Sequence, residues 1–388
     1  MGWRFALVLA VFLALLALLH VYLYRRLVRD VGPPAGWRRA GAVAFAVLYL
    51  LLAGAAPLEI LLRTPWSRAL AGAGFVWLGY MTYLAMAVAA LSALAVPFAR
   101  WRPFRAPDAA PASPGRRLFL SRAVAGTSVL AASITAGHGA YRAFAAPDLR
   151  EVPLRLPRLP RALDGFTIVQ LSDIHVGSMV GRRFVEAMVE RANALRPDLL
   201  AITGDLVDGS VPHLALDVEP LTALRSRFGT FFVTGNHEYY SGDVEWCEHL
   251  RTLGITVLRN QRTAIGGAGA SFDLVGVDDW NGRPGQRYDL GAALAGWSPD
   301  RAAVLMAHQP HNFEGAAQRG ISVQLSGHTH GGQMFPLNLL LRRRFPHVAG
   351  HAEHAGAHLW VSRGVGFWGP PMRVAAPPEI ARIVLLAG

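Results

Sequence analysis

The chain has 388 residues, of which 52% are hydrophobic and only 16% are charged, and this composition is too apolar for a wholly soluble protein. All 38 basic residues are arginines, and the formal net charge is +12. Residues 1–122 contain 14 arginines and three acidic residues, which leaves 24 of the 38 basic and 23 of the 26 acidic residues for the rest. Because a nucleic-acid surface concentrates positive charge on a folded domain, we infer no such surface on the nearly neutral C-terminal part. The single Cys247 excludes an intramolecular disulfide.

Residues 1–99 contain three apolar stretches, at about residues 5–24, 40–62 and 70–98. Each has the roughly 20 residues that a helix needs to cross a bilayer, so the sequence predicts three transmembrane helices. Arginines cluster between the first two stretches and after the third, which predicts that these two loops are cytoplasmic. The arginines are Arg25, Arg26, Arg29, Arg38 and Arg39 in the first loop, and Arg100, Arg102, Arg105, Arg116, Arg117 and Arg122 in the second.

Residues 100–122 are rich in arginine and proline and are predicted to form a cytoplasmic linker. Within it, residues 115–121 (GRRLFLS) resemble the twin-arginine export motif. The alternative is that Arg116 and Arg117 only anchor a helix at the cytoplasmic face. Both interpretations place the domain that follows outside the cytoplasm.

Residues 123–145 are predicted to form a fourth transmembrane or signal-like helix, which we expect to be retained rather than cleaved. Residues 146–165 contain four prolines and predict an extended connector. A folded domain is expected at residues 166–388.

Five short motifs in this domain carry carboxylate, amide and imidazole groups. Each follows an apolar run typical of a buried strand, as at residues 166–171 and 199–203. Open α/β sheets bind ligands at the carboxyl ends of their strands, so the five motifs are expected to converge. They are Asp173-Ile174-His175, Gly204-Asp205, Gly235-Asn236-His237-Glu238, His308 and Gly327-His328-Thr329-His330-Gly331.

These motifs, complete and in this order, resemble the calcineurin-like metallophosphoesterase family. The membrane setting, together with residues 331–333 (GGQ) and 362–371, resembles its membrane-anchored bacterial branch of UDP-2,3-diacylglucosamine hydrolase-like phosphoesterases. The resemblance covers the C-terminal half of the chain only. It implies a four-layer α/β/β/α sandwich with two facing mixed sheets, preceded here by an α-helical transmembrane region.

The resemblance also implies two divalent metal ions, which carboxylate, imidazole and carbonyl ligands would suit as Mn, Fe or Zn. One ion would be held by Asp173, His175, Asp205 and His330. Asp205 would bridge to a second ion held by Asn236, His308 and His328.

Family resemblance gives His237 a catalytic role without metal ligation, either stabilising the transition state or protonating the leaving group. A carboxylate is expected to orient its imidazole. Glu238 and Asp208 are the candidates, and the motif favours Glu238.

Substrate contacts are expected from three further residues, each with a plainer alternative. His311 is either a substrate contact or part of a solvated loop. Arg363 either binds phosphate or forms a surface salt bridge. Tyr239, like Tyr240, either lines the cleft or packs in the core.

Two segments outside the motifs invite other interpretations. His347, His351, His354 and His358 have helical spacing, but Gly350 and Gly356 favour a solvated loop. Residues 334–341 are apolar and precede Arg342–Arg344, and they either touch a bilayer or acyl chain or pack against the domain.

The sequence thus predicts a multi-pass protein of a bacterial inner membrane with an extracytoplasmic phosphoester hydrolase domain. A metal-activated hydroxide would cleave a phosphodiester or pyrophosphate, lipid-linked or nucleotide, and no obligate protein partner is inferred. The alternatives are a phosphomonoesterase, a non-catalytic membrane sensor with a structural metal site, and a transporter. The transporter is disfavoured because His20 and Glu59 are nearly the only ionisable residues within the first three spans.

Overall fold

The computed structural model describes residues 2–62, 64–100, 114–267 and 269–388. It divides into two units. The N-terminal unit comprises residues up to Ala140 with Gly369–Pro371, and the C-terminal unit comprises Tyr141–Trp368 and Met372–Gly388.

Four long apolar helices form the N-terminal part: α1 (Gly2–Leu27), α2 (Ala35–Leu62), α3 (Pro65–Arg100) and α4 (Pro114–Phe144). All four are long and apolar enough to cross a membrane. Proline suits the first position of a helix because its missing N–H is not needed there. Helix α4 therefore begins at Pro114, and residues 114–122 of the predicted linker are helical. Of the rest of that linker, Arg100 ends α3, and Trp101 to Ser113 lie outside the described residues.

Histidine 20 joins two of these helices. Its Nδ1 donates to the carbonyl oxygen of Leu16 at 2.8 Å, and Trp77 Nε1 donates to its Nε2 at 2.9 Å. Both ring nitrogens are thus paired, which suits a structural role between α1 and α3.

The C-terminal unit contains two mixed six-stranded sheets. The strands are β1 (Asp148–Leu156), β2 (Phe166–Leu171), β3 (Leu199–Ile202), β4 (Thr230–Phe232), β5 (Thr256–Val257), β6 (Gln261–Gly267), β7 (Ala270–Gly276), β8 (Ala303–Met306), β9 (Val323–Ser326), β10 (Gly350–His354), β11 (Ala357–Val361) and β12 (Glu379–Ala387). The first sheet has the order β1-β12-β2-β3-β4-β5 and the second β10-β11-β9-β8-β7-β6. Strands β2 to β5 run parallel, as do β7, β8, β9 and β11.

Helices cover the outer face of each sheet. Within β2, Ile168 packs between the sheets while its neighbour Val169 packs against the outer helices, as the alternation of a strand requires. The expected four-layer sandwich with two facing mixed sheets is therefore confirmed. The helices of this unit are α5 (Arg182–Ala194), α6 (Val211–Val218), α7 (Asn236–Ser241), α8 (Asp243–Thr252), α9 (Leu290–Ala293), α10 (Phe313–Gln318) and α11 (Asn338–Leu341). Helices α5, α6 and α8 pack on the first sheet, and α9 and α10 pack on the second.

The predicted connector at 146–165 is only partly a connector, because β1 occupies nine of its residues. Strand β1 pairs in parallel with β12 at the edge of the first sheet, and Val152, Leu154 and Leu156 are buried. An edge strand tolerates Pro153, which lacks an N–H to donate, so the prolines did not exclude a strand here.

The prediction of a loop around the C-terminal histidines is wrong in part. Strands β10 and β11 form an antiparallel hairpin that includes His351, His354 and His358. Ala355 and Gly356, at its tip, both have positive φ, as a tight type I′ turn requires.

Candidate metal centre

Both sheets deliver predicted ligands to one site. In the first sheet, β2 ends before Asp173, β3 before Asp205 and β4 before Asn236. In the second sheet, β8 ends before His308 and β9 before His328. The central strands are parallel, so their carboxyl ends meet at one edge and bring side chains from distant parts of the sequence together.

A first group of ligand atoms comes from Asp173, His175 and His330. The two imidazole Nε2 atoms lie 3.1 Å apart, and His330 Nε2 lies 3.5 Å from Asp173 Oδ1. All three residues are buried. Two imidazole nitrogens at this separation can both coordinate the same cation.

A second group comes from Asp205, His308 and His328. His308 Nε2 lies 3.1 Å from Asp205 Oδ2 and 3.2 Å from His328 Nδ1. His308 Nδ1 donates to the carbonyl oxygen of Thr203 at 2.8 Å, which fixes the orientation of the ring and leaves Nε2 facing the site.

The two groups adjoin each other at Asp205. His175 Nε2, from the first group, lies 3.9 Å from the same Asp205 Oδ2 that contacts His308. The other oxygen, Oδ1, accepts the backbone N–H of His237 at 2.9 Å. One carboxylate thus faces both groups.

The donor set fits divalent cations. Among the described residues, Asp173 Oδ2 and Asn236 Oδ1 are buried oxygens without a hydrogen-bond partner. A buried oxygen without a partner is costly unless something binds it. Together with the clustered imidazoles, these oxygens suit a transition metal with mixed nitrogen and oxygen ligands.

The local charges keep different ligands in different protonation states. Burial, and then the charge of His308, lower the pKa of His328 to about 3, so its nitrogen lone pair is free. Burial would also lower the pKa of His175, but the charge and hydrogen bond of Asp208, with help from Asp205, raise it to about 9. A metal ion that binds His175 must therefore displace a proton.

The backbone at the site is strained. Five of the eleven described non-glycine residues with positive φ are predicted ligands: Asp173, His175, Asp205, His328 and His330. Such conformations cost roughly 1–3 kcal/mol each and persist where the surroundings enforce them, often at functional sites. Close packing adds a second constraint, because a Cβ on Gly327 would overlap Ser172 Oγ and Asp173 Oδ2.

The carboxylate that orients His237 is Asp208. Its Oδ1 accepts from Nδ1 of His237 at 2.7 Å and from Nδ1 of His175 at 2.8 Å. Burial would raise the pKa of Asp208, but the charge of His175 and hydrogen bonds from both imidazoles lower it to about 2. The expectation that Glu238 orients His237 is therefore wrong.

Glu238 instead binds backbone. Its carboxylate accepts the N–H groups of Gly235 at 2.6 Å, Asp205 at 3.0 Å and Leu206 at 2.8 Å. It is the third residue of α7, where a capping glutamate reaches back to the start of the helix. Adjacent residues on a helix do not face each other, which separates its side chain from His237.

Tyr240, rather than Tyr239, lies beside His237. The Tyr240 ring is 5.4 Å from the imidazole and is 72% exposed. Residues three apart share a helix face, so α7 places positions 237 and 240 together. The Tyr239 hydroxyl points elsewhere, within 3.2 Å of Thr234 Oγ1 and Arg259 Nη2.

Arg363 is engaged in an ion pair. Its Nη1 lies 2.7 Å from the buried carboxylate of Glu379, so the structure places it as the salt-bridge alternative requires. His311 lies in the turn before α10. Its ring is partly buried, 4.9 Å from the ring of Phe345, which in turn is 5.4 Å from His328.

Two residues at the site carry no recognisable sequence motif. Trp368 is 56% exposed, and its ring lies 5.8 Å from His237. Arg373 is fully buried and donates to the carbonyl oxygen of His330 at 2.9 Å. Both follow β11 in a stretch without regular secondary structure, where hydrophobic periodicity predicts nothing.

Comparison with known proteins identifies the family. Residues 166–332 match the family model described as calcineurin-like phosphoesterase. A Danio rerio transmembrane protein with metallophosphoesterase domain is 38% identical over 271 residues, which cover 66% of this chain and 62% of that protein. An uncharacterized metallophosphoesterase of Helicobacter pylori is 38% identical over 252 residues, covering 64% of this chain and 66% of its own length.

A third relative matches over nearly its whole length. This uncharacterized metallophosphoesterase of Aquifex aeolicus is 34% identical over 254 residues, which cover 64% of this chain and 95% of the relative. By contrast, the chain spans under two thirds of the Danio rerio relative. The match to the family model and to these relatives agrees with the fold and with the clustered ligands, and the chain therefore belongs to the calcineurin-like phosphoesterases, a family of metal-dependent phosphoester hydrolases.

Proposed function

We propose that the protein is a dinuclear metal-dependent hydrolase of phosphodiesters or pyrophosphates. The observation that carries this proposal is the position of Asp205, whose Oδ2 faces His308 of one ligand group and His175 of the other. A carboxylate shared in this way offsets the repulsion between two cations. Asp173, His175 and His330 would hold one ion, and Asn236, His308 and His328 the other.

Two divalent ions would supply positive charge for the phosphoryl oxygens and a water made nucleophilic near neutral pH. The protein's own contribution is positioning. Asp208 accepts a hydrogen bond from His237 Nδ1, so His237 Nε2 is the ring atom that turns towards Asp205, 4.0 Å away. From there it can hold the proton that the leaving oxygen needs.

The surroundings of His237 support a substrate with a group beyond the leaving oxygen. The exposed rings of Tyr240 and Trp368 flank the imidazole. A second ester group would bury part of both rings, whereas a simple monoester would leave them largely in water. A lipid-linked substrate and a nucleotide both meet this description.

Hydrolysis by the full-length purified protein tests the proposal. We expect an aryl phosphodiester to be cleaved faster than the matching monoester, in the presence of Mn²⁺ or another divalent metal. His237→Ala should lower kcat by roughly 10² to 10⁴-fold while the protein still binds metal, because only a proton donor is lost. Asp205→Asn should weaken metal binding as well.

The outcomes separate the alternatives. Preference for the monoester would point to a phosphomonoesterase. Metal binding without hydrolysis of either ester would favour a non-catalytic sensor. In that case the His237→Ala variant would behave as the unmodified protein does.

We further propose that the hydrolase domain lies outside the cytoplasm of a bacterium, at the inner membrane. The arginines at the end of α1 and at the start of α2 and α4 support this orientation, since positive charge stays on the cytoplasmic side. A fusion of alkaline phosphatase after Gly388 should be active. A β-galactosidase fusion at the same position that is active instead would reverse the orientation.

A further inference from the structure

The segment after the Gly-His-x-His motif exposes leucines beside arginines. Leu337, Leu339 and Leu340 are 37%, 51% and 60% exposed. Arg342, Arg343 and Arg344 follow directly and are exposed too. We call these six residues the α11 surface. Large apolar side chains that cluster on a surface in this way mark an interaction site.

Both ends of this segment are fixed at the metal centre. At its start, Asn338 packs so closely on Gly332 that a Cβ there would overlap it, and Gly332 is two residues from His330. At its end, the buried ring of Phe345 lies 5.4 Å from that of His328. The α11 surface therefore lies next to the loop that carries His328 and His330.

The charge pattern favours an anionic occupant. Within the described residues no ion pair involves Arg342, Arg343 or Arg344, and no Asp or Glu occurs between Glu314 and Glu353. A second copy of the chain docked face to face would bring two sets of arginines together without acidic partners. An anionic lipid surface would bind both parts, the leucines among its acyl chains and the arginines at its headgroups.

A bilayer is also within reach. Helix α4, long and apolar enough to span a membrane, ends at Phe144, and β1 begins at Asp148. The Phe144 ring packs 5.1 Å from that of Phe367, next to Trp368 at the site. Only three residues separate α4 from β1, so the effective concentration of the domain at the membrane is high. At a high effective concentration, weak contacts are sufficient for docking.

We propose that the α11 surface docks on a bilayer containing anionic phospholipid and holds the mouth of the metal site at the level of the headgroups. The docking does not depend on the proposed hydrolysis and is measured without it.

Spin-label accessibility in the full-length protein tests the docking. Leu340→Cys can be labelled selectively, because the native Cys247 is buried and burial raises the pKa of its thiol to about 12. The protein is placed in nanodiscs of phosphatidylcholine, alone or mixed with phosphatidylglycerol. Leu216→Cys is the control, since Leu216 is 75% exposed on α6, a helix without an arginine cluster.

In the mixed discs we expect the label at 340 to be several-fold less accessible to a water-soluble nickel chelate, and more accessible to oxygen, than in phosphatidylcholine alone. The label at 216 should not change. Replacing Arg342, Arg343 and Arg344 together by Gln should abolish the protection at 340. The comparison between the two kinds of disc is made with the native arginines in place. It therefore tests the docking even if the triple variant misfolds.

Two results would overturn the docking. In the first, the labels at 340 and 216 are equally accessible to the nickel chelate in both kinds of disc. In the second, the protection at 340 is independent of lipid and is accompanied by dipolar coupling between labels, which would identify a second copy as the occupant.

Discussion

Asp208 shows how much one carboxylate oxygen controls at the site. It accepts from an imidazole predicted to bind metal, that of His175, and from one predicted to transfer a proton, that of His237. Both rings are thereby held with Nε2 turned inward. Metal affinity and catalysis therefore depend on the same residue.

We predict that Asp208→Asn lowers metal affinity by roughly 10 to 100-fold and lowers kcat in addition at saturating metal, because the amide cannot accept charge-assisted hydrogen bonds from both rings. Metal titration followed by assays at saturating metal separates the two effects. Asp300→Asn, at an exposed position, is the control and should change neither. Normal kcat at saturating metal would contradict the orienting role for His237.

Gly327 allows the chain to pass against Asp173. We predict that Gly327→Ala weakens metal binding by more than tenfold, because the added methyl occupies the place of Asp173 Oδ2 and Ser172 Oγ. Calorimetric titration with Mn²⁺ measures the loss. Gly267→Ala, where a Cβ has open space, should bind normally. Equal affinities in the two variants would show that the loop yields to the methyl group.

The sequence could predict which residues converge, but only in part what each one does. The motifs identify the residues that the strand ends bring together. Proximity along the chain nevertheless misled the choice between Glu238 and Asp208, because side-chain direction depends on the turn of α7 and on contacts between distant loops. Trp368 and Arg373 belong to no pattern, and only the folded chain brings them to the site.

At the scale of elements, the geometry of α7 determines which of its side chains face the site. It points Asn236 and Glu238 inward and Tyr240 outward beside His237. The same logic made the central strands predictable, since they are short apolar runs that end in polar residues. Strand β1 was not predictable in this way, because Pro153 within it and the prolines on either side of it resemble those of a linker.

We predict that Tyr240→Ala raises KM for an aryl phosphodiester several-fold and leaves the unfolding temperature nearly unchanged, because this exposed ring contributes contact area to the ligand only. Tyr239→Phe should do the reverse. It removes hydroxyl contacts with Thr234 and Arg259, at a cost of about 1 kcal/mol in the free energy of unfolding. Steady-state kinetics and thermal melts of both variants check the contrast, and an unchanged KM for Tyr240→Ala would remove this residue from the substrate side.

At the scale of the whole molecule, the predicted ligands come from two sheets that share one apolar core. A cation held by Asp173, Asp205 and His308 would join loops of both sheets. It would therefore stabilise the folded state, by about 2.7 kcal/mol when its concentration is 100 times Kd. A chelator should lower the melting temperature of the C-terminal unit more than that of the apolar helices.

This stabilisation should depend on pH. Without metal, burial would lower the pKa of His175, but Asp208 and Asp205 raise it to about 9, so the ring is protonated at neutral pH. When metal binding displaces one proton, the metal affinity rises up to about tenfold for each unit that the pH rises, as long as the pH is below that pKa. We predict that Mn²⁺ affinity rises from pH 6 to pH 8, measured by calorimetry, and a constant affinity would exclude proton displacement at His175.

The position of β12 has a consequence for biosynthesis. This strand, Glu379–Ala387, lies between β1 and β2, so it separates two segments that precede it by more than 200 residues. Until residues 379–387 have left the ribosome, the first sheet has a gap that leaves strand edges and apolar side chains exposed. Folding of this sheet therefore cannot be completed before β12 is synthesised. Until then, the exposed apolar surface of the nascent domain is a binding site for chaperones.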